Sequence, residues 1–148
     1  AAFLRARGYD GMRLIDTEDA GQSLICTFCY VQDGVLCTAD QLRVRVQLDD
    51  GTVCGFSSAS YLDTHRARTL PADTIGAEAG QAAVPGALQV VDTRTAFLRL
   101  YGARETLCYE YLCETDDGQR CVIAVNARTG QQERIQTSDV SGGVQMQF

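Results

Sequence analysis

The sequence predicts an α+β fold made of two tandem units, each a helix packed on an antiparallel β-sheet, with the N-terminal helix of the first unit incomplete. Three observations lead to this prediction. After Gly8 the apolar residues alternate with a period of two, and turns containing Gly or Asp separate the alternating segments. The pattern of a strand, a polar turn ending in Gly and a second strand occurs twice, at Gly51 and at Gly130. We therefore expect a first unit over 1–66 and a second over 67–148.

In the first unit, "AAFLRARG" predicts the last turns of a helix that ends at Gly8, so we expect the chain to be part of a longer protein. The strands predicted to follow are 12–19, 23–31, 35–48 and 52–60. Residues 61–71 are polar and end in Pro71, and they are predicted to form a linker.

In the second unit, "DTIGAEAGQAAV" predicts a short helix over 73–84, capped by Asp73 or Thr74 and ended by Pro85. Its internal glycines weaken the helical propensity. The strands predicted to follow are 88–94, 96–101, 106–113, 120–127 and 131–137.

Four triplets that end in Gly predict three-residue hairpin loops, at 32–34, 49–51, 116–118 and 128–130. The first loop would place the even-numbered residues of unit 1 on one apolar face, with Arg43 and Arg45 on the opposite, solvated face. That apolar set is Leu24, Cys26, Phe28, Tyr30, Leu36, Leu42, Val44, Val46, Leu48, Cys54 and Phe56. The third loop gives the second unit a matching face of Leu107, Tyr109, Tyr111, Ile123, Val125 and Ile135.

The same registers make predictions for the seven cysteines. Cys29 should lie opposite Cys37, and Cys113 opposite Cys121, at separations that a disulfide can span. Whether either pair is oxidised stays open. The accessible cysteines should be Cys29, Cys37 and Cys108, and the buried ones Cys26, Cys54, Cys113 and Cys121.

Composition excludes several functional classes. The net charge is -6 and no basic cluster is present, so nucleic-acid binding is not expected. All 13 basic residues are arginine, which excludes Schiff-base and phosphate-loop lysines. No apolar run approaches the roughly 18 residues of a membrane span, so any membrane contact would need an anchor absent from this chain.

The residues that could carry chemistry favour structural roles. The C-x-x-C at 26–29 lies in a strand pattern and has no second metal knuckle. His65, in the segment "DTHRAR", is predicted to be a solvated surface residue. The acidic pairs 49–50 and 116–117 fall in turns, where Asp is favoured. We therefore expect no catalytic, cofactor-binding or metal-binding residues and no cofactor.

The segment "VIAVNARTGQQERI" resembles the hairpin of the PepSY domain, and "VRVQLDDGTVCGF" is a looser copy with Asp50 where the family usually has Thr. The segments "GYDGM", "YVQDGVLCTADQLRVRVQLDDGTVCGFSSASYLDTH" and "LCYEYLC" are similar to the C-terminal tandem PepSY region of the YpeB group of spore germination proteins. The resemblance spans nearly the whole chain.

This resemblance implies a non-catalytic, protein-binding module of an extracytoplasmic spore protein. Its implied partner is a spore cortex-lytic, peptidoglycan-degrading hydrolase, which it would localise, stabilise or restrain. Its edge strands could also support a homo-oligomer. Two alternatives stay open: an inhibitory propeptide-like module that acts on a peptidase, and a cysteine-based redox or metal protein.

Overall fold

The computed structural model describes residues 2–102 and 104–137, together with the backbone of 144–146. It is an α+β structure dominated by antiparallel strands. In chain order the elements are α1 (Ala2–Arg5), β1 (Met12–Asp19), β2 (Ser23–Gln32), β3 (Val35–Gln47), β4 (Val53–Ser57), α2 (Ala59–Thr64), α3 (Ala77–Gly80), β5 (Gln89–Tyr101), β6 (Arg104–Glu114), β7 (Arg120–Asn126), β8 (Gln132–Thr137) and β9 (Val144–Met146).

The described residues group into two compact units. The first contains residues 2–67 and the short strand β9, and the second contains residues 68–137. Within the first unit the strand order is β9-β1-β2-β3-β4, and within the second it is β5-β6-β7-β8. Neighbouring strands in each of these series are antiparallel.

The first unit begins with the predicted helix end. Gly8 has a left-handed φ of 80°, and its N–H donates to the Arg5 carbonyl at 3.0 Å, which closes α1. Leu4 is fully buried and packs with Phe28, Leu42 and Val44. The predicted apolar face is thus confirmed in the centre of this sheet.

The turn between β2 and β3 differs from its prediction. Asp33 and Gly34 have φ values of 51° and 81°, as a two-residue type I′ turn requires, so Gln32 pairs with Val35. Cys37 therefore lies opposite Tyr30, and a bulge then pairs Cys29 with Gln41. The predicted Cys29–Cys37 register is wrong because the loop is one residue shorter than three.

Residues 59–64, within the predicted fourth strand and linker, form helix α2. Thr64 Oγ1 donates to the Ala39 carbonyl at 2.9 Å and lies 2.9 Å from Asp40 Oδ1. These bonds hold α2 against the bulged part of β3 in place of a free linker.

In the second unit, the face predicted from the 116–118 loop is buried at Leu107, Tyr109, Tyr111, Ile123 and Val125. The loop has the predicted length, because Glu114 pairs with Arg120 across it. Ile135 pairs with Ile123 on the same face, but it is exposed on the last strand. The two strands predicted over 88–101 form one continuous strand, β5, with a bulge near Val91.

The helix predicted over 73–84 is shorter than expected. α3 starts after Gly76, whose φ is 84°, and a 3₁₀ turn at Gln81–Ala83 completes it. Asp73 does not cap it. A Cβ at Gly80 would lie 2.6 Å from the Tyr111 hydroxyl, and that hydroxyl donates to the Ala77 carbonyl. The glycine that weakens this helix is therefore what lets it approach the sheet.

The loops predicted at 49–51 and 128–130 contain four residues each. Gln47 N–H donates to the Thr52 carbonyl and Asn126 N–H to the Gln131 carbonyl, both at 2.8 Å. A one-residue bulge in β4 and another in β8 then return the apolar side chains of these strands to the predicted sheet face.

Candidate protein-binding surfaces

The outer face of the first unit is defined here by Glu18, Ile25, Thr27, Arg43 and Arg45. These residues share a face because Thr27 pairs with Arg43, Ile25 pairs with Arg45, and Glu18 pairs with Ile25. Both arginines are exposed, as the sequence predicted. This outer face offers positive charge around a small apolar centre.

The charges on the outer face are held loosely. Arg43 lies 3.3 Å from Glu18, and both side chains are about half exposed, so the pair contributes only ~0–1 kcal/mol. Arg45 Nε donates to Ser23 Oγ at 2.7 Å. Burial raises the pKa of neighbouring Asp16, with a smaller contribution from the Glu18 charge. Arg43 can therefore exchange Glu18 for an acidic group of a partner at little cost.

On the corresponding face of the second unit the acidic side chain is buried and ion-paired. Glu110 is 1% exposed; its carboxylate accepts from Arg94 Nε at 2.7 Å and from Arg134 at 3.2 Å. A carboxylate in such a position is committed to its two arginines, since breaking the cluster would leave a buried charge. The charges of this face are therefore paired within the unit.

The second unit also contains an open cleft of about 720 Å³ that both polar and apolar side chains line. At its rim, Arg128 Nε donates to Asp73 at 3.0 Å, and this hydrogen bond lowers the pKa of Asp73. Arg68 makes a buried pair with Glu105 at 2.8 Å. The cleft includes Thr69 and Pro71 from the predicted linker, which makes it a second candidate surface.

His65 is exposed at the surface, as the sequence predicted, but its ring is held in place by neighbouring side chains. Its Nδ1 lies 2.9 Å from Asp40 Oδ2, with 34% of the histidine side chain and none of the aspartate side chain exposed. The ring stacks on Tyr61 at 4.2 Å and meets Tyr30 edge-on at 4.7 Å. The segment reads as polar in the sequence, but α2 brings it against β3. The arrangement anchors the end of α2.

The acidic pairs lie in turns, as predicted, and one residue of each pair makes a local hydrogen bond there. Asp50 Oδ1 accepts the Thr52 N–H at 2.8 Å, and this bond lowers the pKa of Asp50. Asp117 Oδ1 accepts a hydrogen bond from the Thr115 hydroxyl. Both interactions are typical of Asp in tight turns.

The predicted cysteine exposures are partly wrong. Cys29, Cys37 and Cys108, expected to be accessible, are fully buried, whereas Cys54, expected to be buried, is exposed. Burial, reinforced by the charges of Glu133 and Glu110, raises the pKa of Cys108 to about 12. Cys54 is exposed because it lies in the bulge of β4, which turns its side chain away from the apolar face. Cys113 is buried as predicted, and Cys26 and Cys121 are half-buried.

The described residues contain no cluster of three or more His, Cys, Asp or Glu side chains that could hold a metal ion. None of the helices in that same part of the chain combines the length and hydropathy that crossing a bilayer requires.

The sequence reasoning missed two groups of charged residues, the Asp40–His65 pair and the Glu110 cluster. A signal for the second was present, because Glu110 stands between two tyrosines inside an apolar strand. An acid in that setting needs a buried cation. No comparable signal marked Asp40, which becomes buried only through the bulge.

Comparison with known proteins gave one consistent family. The family described as YpeB sporulation, PepSY1 and PepSY2 domains matches residues 1–71. The sporulation protein YpeB of Bacillus subtilis is 33% identical over 137 residues, which cover 91% of this chain and 30% of that protein. YpeB of Halalkalibacterium halodurans is 28% identical over 134 residues, covering 90% of this chain and 30% of that protein.

Among solved structures, the Bacillus megaterium YpeB C-terminal domain matches with a TM-score of 0.82 and 26% identity. The match covers 92% of this chain and 60% of that one. The chain thus spans about 30% of the length of the curated relatives that it matches.

Proposed function

Because the chain belongs to the YpeB family of PepSY-containing sporulation proteins, we propose that it is a non-catalytic protein-binding module of a spore germination protein. Its partner is a spore cortex-lytic, peptidoglycan-degrading hydrolase, which it localises, stabilises or restrains. The observation that carries the proposal is the match over nearly the whole chain, combined with one loosely held, charged sheet face.

We further propose that the two units are tandem PepSY-like repeats. Support comes from the β3–β4 and β7–β8 hairpins, which have the same four-residue loop and a bulge at the same position. A module of this kind presents its faces and edges to partners; it does not need an active site.

The proposal of a non-catalytic role is supported by the surroundings of His65. Its ring bonds a fully buried carboxylate and stacks on a tyrosine, and the neighbouring Thr64 hydroxyl donates to a backbone carbonyl. The hydroxyl is thereby engaged in anchoring α2. In the full-length protein we place this region outside the cytoplasm, on the cortex side of the inner spore membrane, held there by an anchor elsewhere in the protein.

The outer face of the first unit is the binding surface that we would test first. We expect the double variant Arg43→Glu, Arg45→Glu to bind the hydrolase at least about tenfold more weakly, measured by calorimetry or biolayer interferometry, because charge reversal opposes an acidic partner surface. Arg120→Glu is the matched control, since Arg120 is exposed and pairs with Glu114 at 2.9 Å.

Equal binding by the double variant and the native chain would remove the outer face from consideration. Equal loss in the Arg120 control would indicate a non-specific charge effect. The same preparations, incubated alone with cortex peptidoglycan, should release no fragments. Release that one point mutation abolishes would contradict the non-catalytic role.

A further inference from the structure

Cys113 on β6 and Cys121 on β7 lie directly opposite each other. The Thr115 N–H donates to the Gln119 carbonyl at 2.9 Å, so these two residues are a hydrogen-bonded pair next to the turn. Because such pairs alternate along antiparallel strands, Cys113 and Cys121 occupy the next one, with Cα atoms ~5.5 Å apart. A disulfide accepts Cα separations of roughly 4.4 to 6.8 Å and needs its Cβ atoms within roughly 3.5 to 4.5 Å. Forming the bond therefore draws the two side chains closer than opposed residues of a hydrogen-bonded pair usually lie.

The two side chains lie on the same face of the sheet and interact electrostatically, and the Cys113 thiol donates to the Tyr111 carbonyl at 3.5 Å. Their accessibility differs: Cys113 is fully buried, and Cys121 is half-buried at the start of β7. A small reagent from solvent therefore reaches Cys121 first, and Cys113 lies opposite Cys121 on the neighbouring strand.

We propose that Cys113 and Cys121 form a thiol modification site, which a small-molecule disulfide converts into an intramolecular cystine linking β6 to β7. The other cysteine pair that the sequence predicted to lie opposite each other, Cys29 and Cys37, lacks this register.

The reaction proceeds in two exchanges. The Cys121 thiolate attacks the reagent disulfide, its sulfur bonds to one reagent sulfur, and the other leaves as a thiolate. The Cys113 thiolate then attacks the Cys121 sulfur of this mixed disulfide and expels the second reagent thiolate. Two protein thiols are oxidised and one reagent disulfide is reduced to two thiols, because the two protons that the protein thiols lose are taken up, through solvent, by the two reagent thiolates.

The second exchange should depend steeply on pH. Burial, followed by the charge of Cys121, raises the pKa of Cys113 to about 11. Below that value the thiolate fraction rises about tenfold per pH unit, and so should the rate of ring closure.

The test uses the chain with Cys54→Ser, because exposed Cys54 would otherwise compete for the reagent. The protein is treated with excess bis(hydroxyethyl) disulfide at two pH values one unit apart, and its peptides are mapped by mass spectrometry without reduction. We expect a Cys113–Cys121 linkage that forms about tenfold faster at the higher pH.

Two single variants separate the steps. Cys113→Ser should stop at a mixed disulfide on Cys121, and Cys121→Ser should leave Cys113 unmodified. A stable mixed disulfide on Cys121 in the parent protein, or a linkage between other cysteines, would overturn the proposal.

Discussion

The β3–β4 and β7–β8 hairpins have the same backbone and carry different surfaces. Each loop is closed by one hydrogen bond of 2.8 Å, from Gln47 to Thr52 in the first and from Asn126 to Gln131 in the second. In the first hairpin the Thr52 N–H donates to the Asp50 carboxylate at 2.8 Å, and in the second the Gln131 N–H donates to the Thr129 hydroxyl at 3.2 Å. In each hairpin the acceptor stands two residues before the donor. The short-range turn geometry is therefore common to both.

The bulged positions show how the surfaces diverge. Cys54 is the extra residue of β4 and is exposed, whereas Glu133 is the extra residue of β8 and accepts a hydrogen bond from Asn126 at 2.9 Å. On the adjoining sheet faces, Arg43 is exposed in the first unit and Glu110 is buried in the second. The same backbone thus supports an open charged face in one unit and a buried ion cluster in the other.

The largest expected effect contrasts the two ion pairs. Glu110→Ala should lower the free energy of unfolding by about 3–5 kcal/mol, because Arg94 loses its buried counter-charge. Glu18→Ala, the matched change on the exposed face, should cost at most ~1 kcal/mol. Urea unfolding of the two variants measures the difference. Similar losses would mean that the two faces are energetically alike.

A smaller effect should be shared by both hairpins. Gly51 and Gly130 have φ values of 72° and 73°, so replacing either with Ala should cost about 1–2 kcal/mol. A Cβ at Gly130 would approach Ile75 Cδ1 at 3.1 Å, but that side chain is partly exposed and can shift. Thermal unfolding should therefore give nearly equal losses, and an effect at only one glycine would argue against equivalent hairpins.

The smallest effect concerns the acceptor in the first loop. The Thr52 N–H holds the pKa of Asp50 below its ordinary value of 3.8. Asp50 thus stabilises the folded state above that pH, and the contribution is lost as the pH falls through the lowered pKa. Asp50→Thr, which copies Thr129 of the second hairpin, should keep the hydrogen bond and remove this pH dependence.

Stability curves of the native chain and Asp50→Thr, measured from neutral pH to below the ordinary pKa of Asp, should converge at the acidic end. Asp50→Ala is the control that loses both the bond and the charge. A native curve that stays parallel to the Asp50→Thr curve would show that the Asp50 bond does not form in solution.

Local sequence patterns predicted much of this molecule. The first strand runs from Met12 to Asp19 as predicted, because alternation and Gly-containing turns are local signals. The other predicted strands agree within a few residues, except that the two predicted over 88–101 form the single strand β5, and β9 was not predicted. The end of α1 at Gly8 and the Cys113–Cys121 register followed from the same kind of signal. The outer-face arginines were also identified correctly.

The predictions that were wrong, and the buried groups that were missed, depended on one-residue changes in turns and on contacts between distant segments. The two-residue turn at Asp33 shifted the register of Cys37, and bulges decided the environments of Asp40 and Cys54. One residue more or less reverses the face of every side chain beyond it.

The sequence by itself thus determined the α+β class with its antiparallel sheet, most of the strand positions, the repeated hairpin pattern and the exposed arginines of the first unit. Only the tertiary structure decided that His65 bonds buried Asp40, and that Arg94 and Arg134 converge on Glu110 from strands on either side of β6 and β7. The physical reason is the distance along the chain over which each kind of interaction acts. Alternation and turn preference act over a few residues, whereas a buried charge is tolerated only where separate segments bring its counter-charge to within hydrogen-bonding distance.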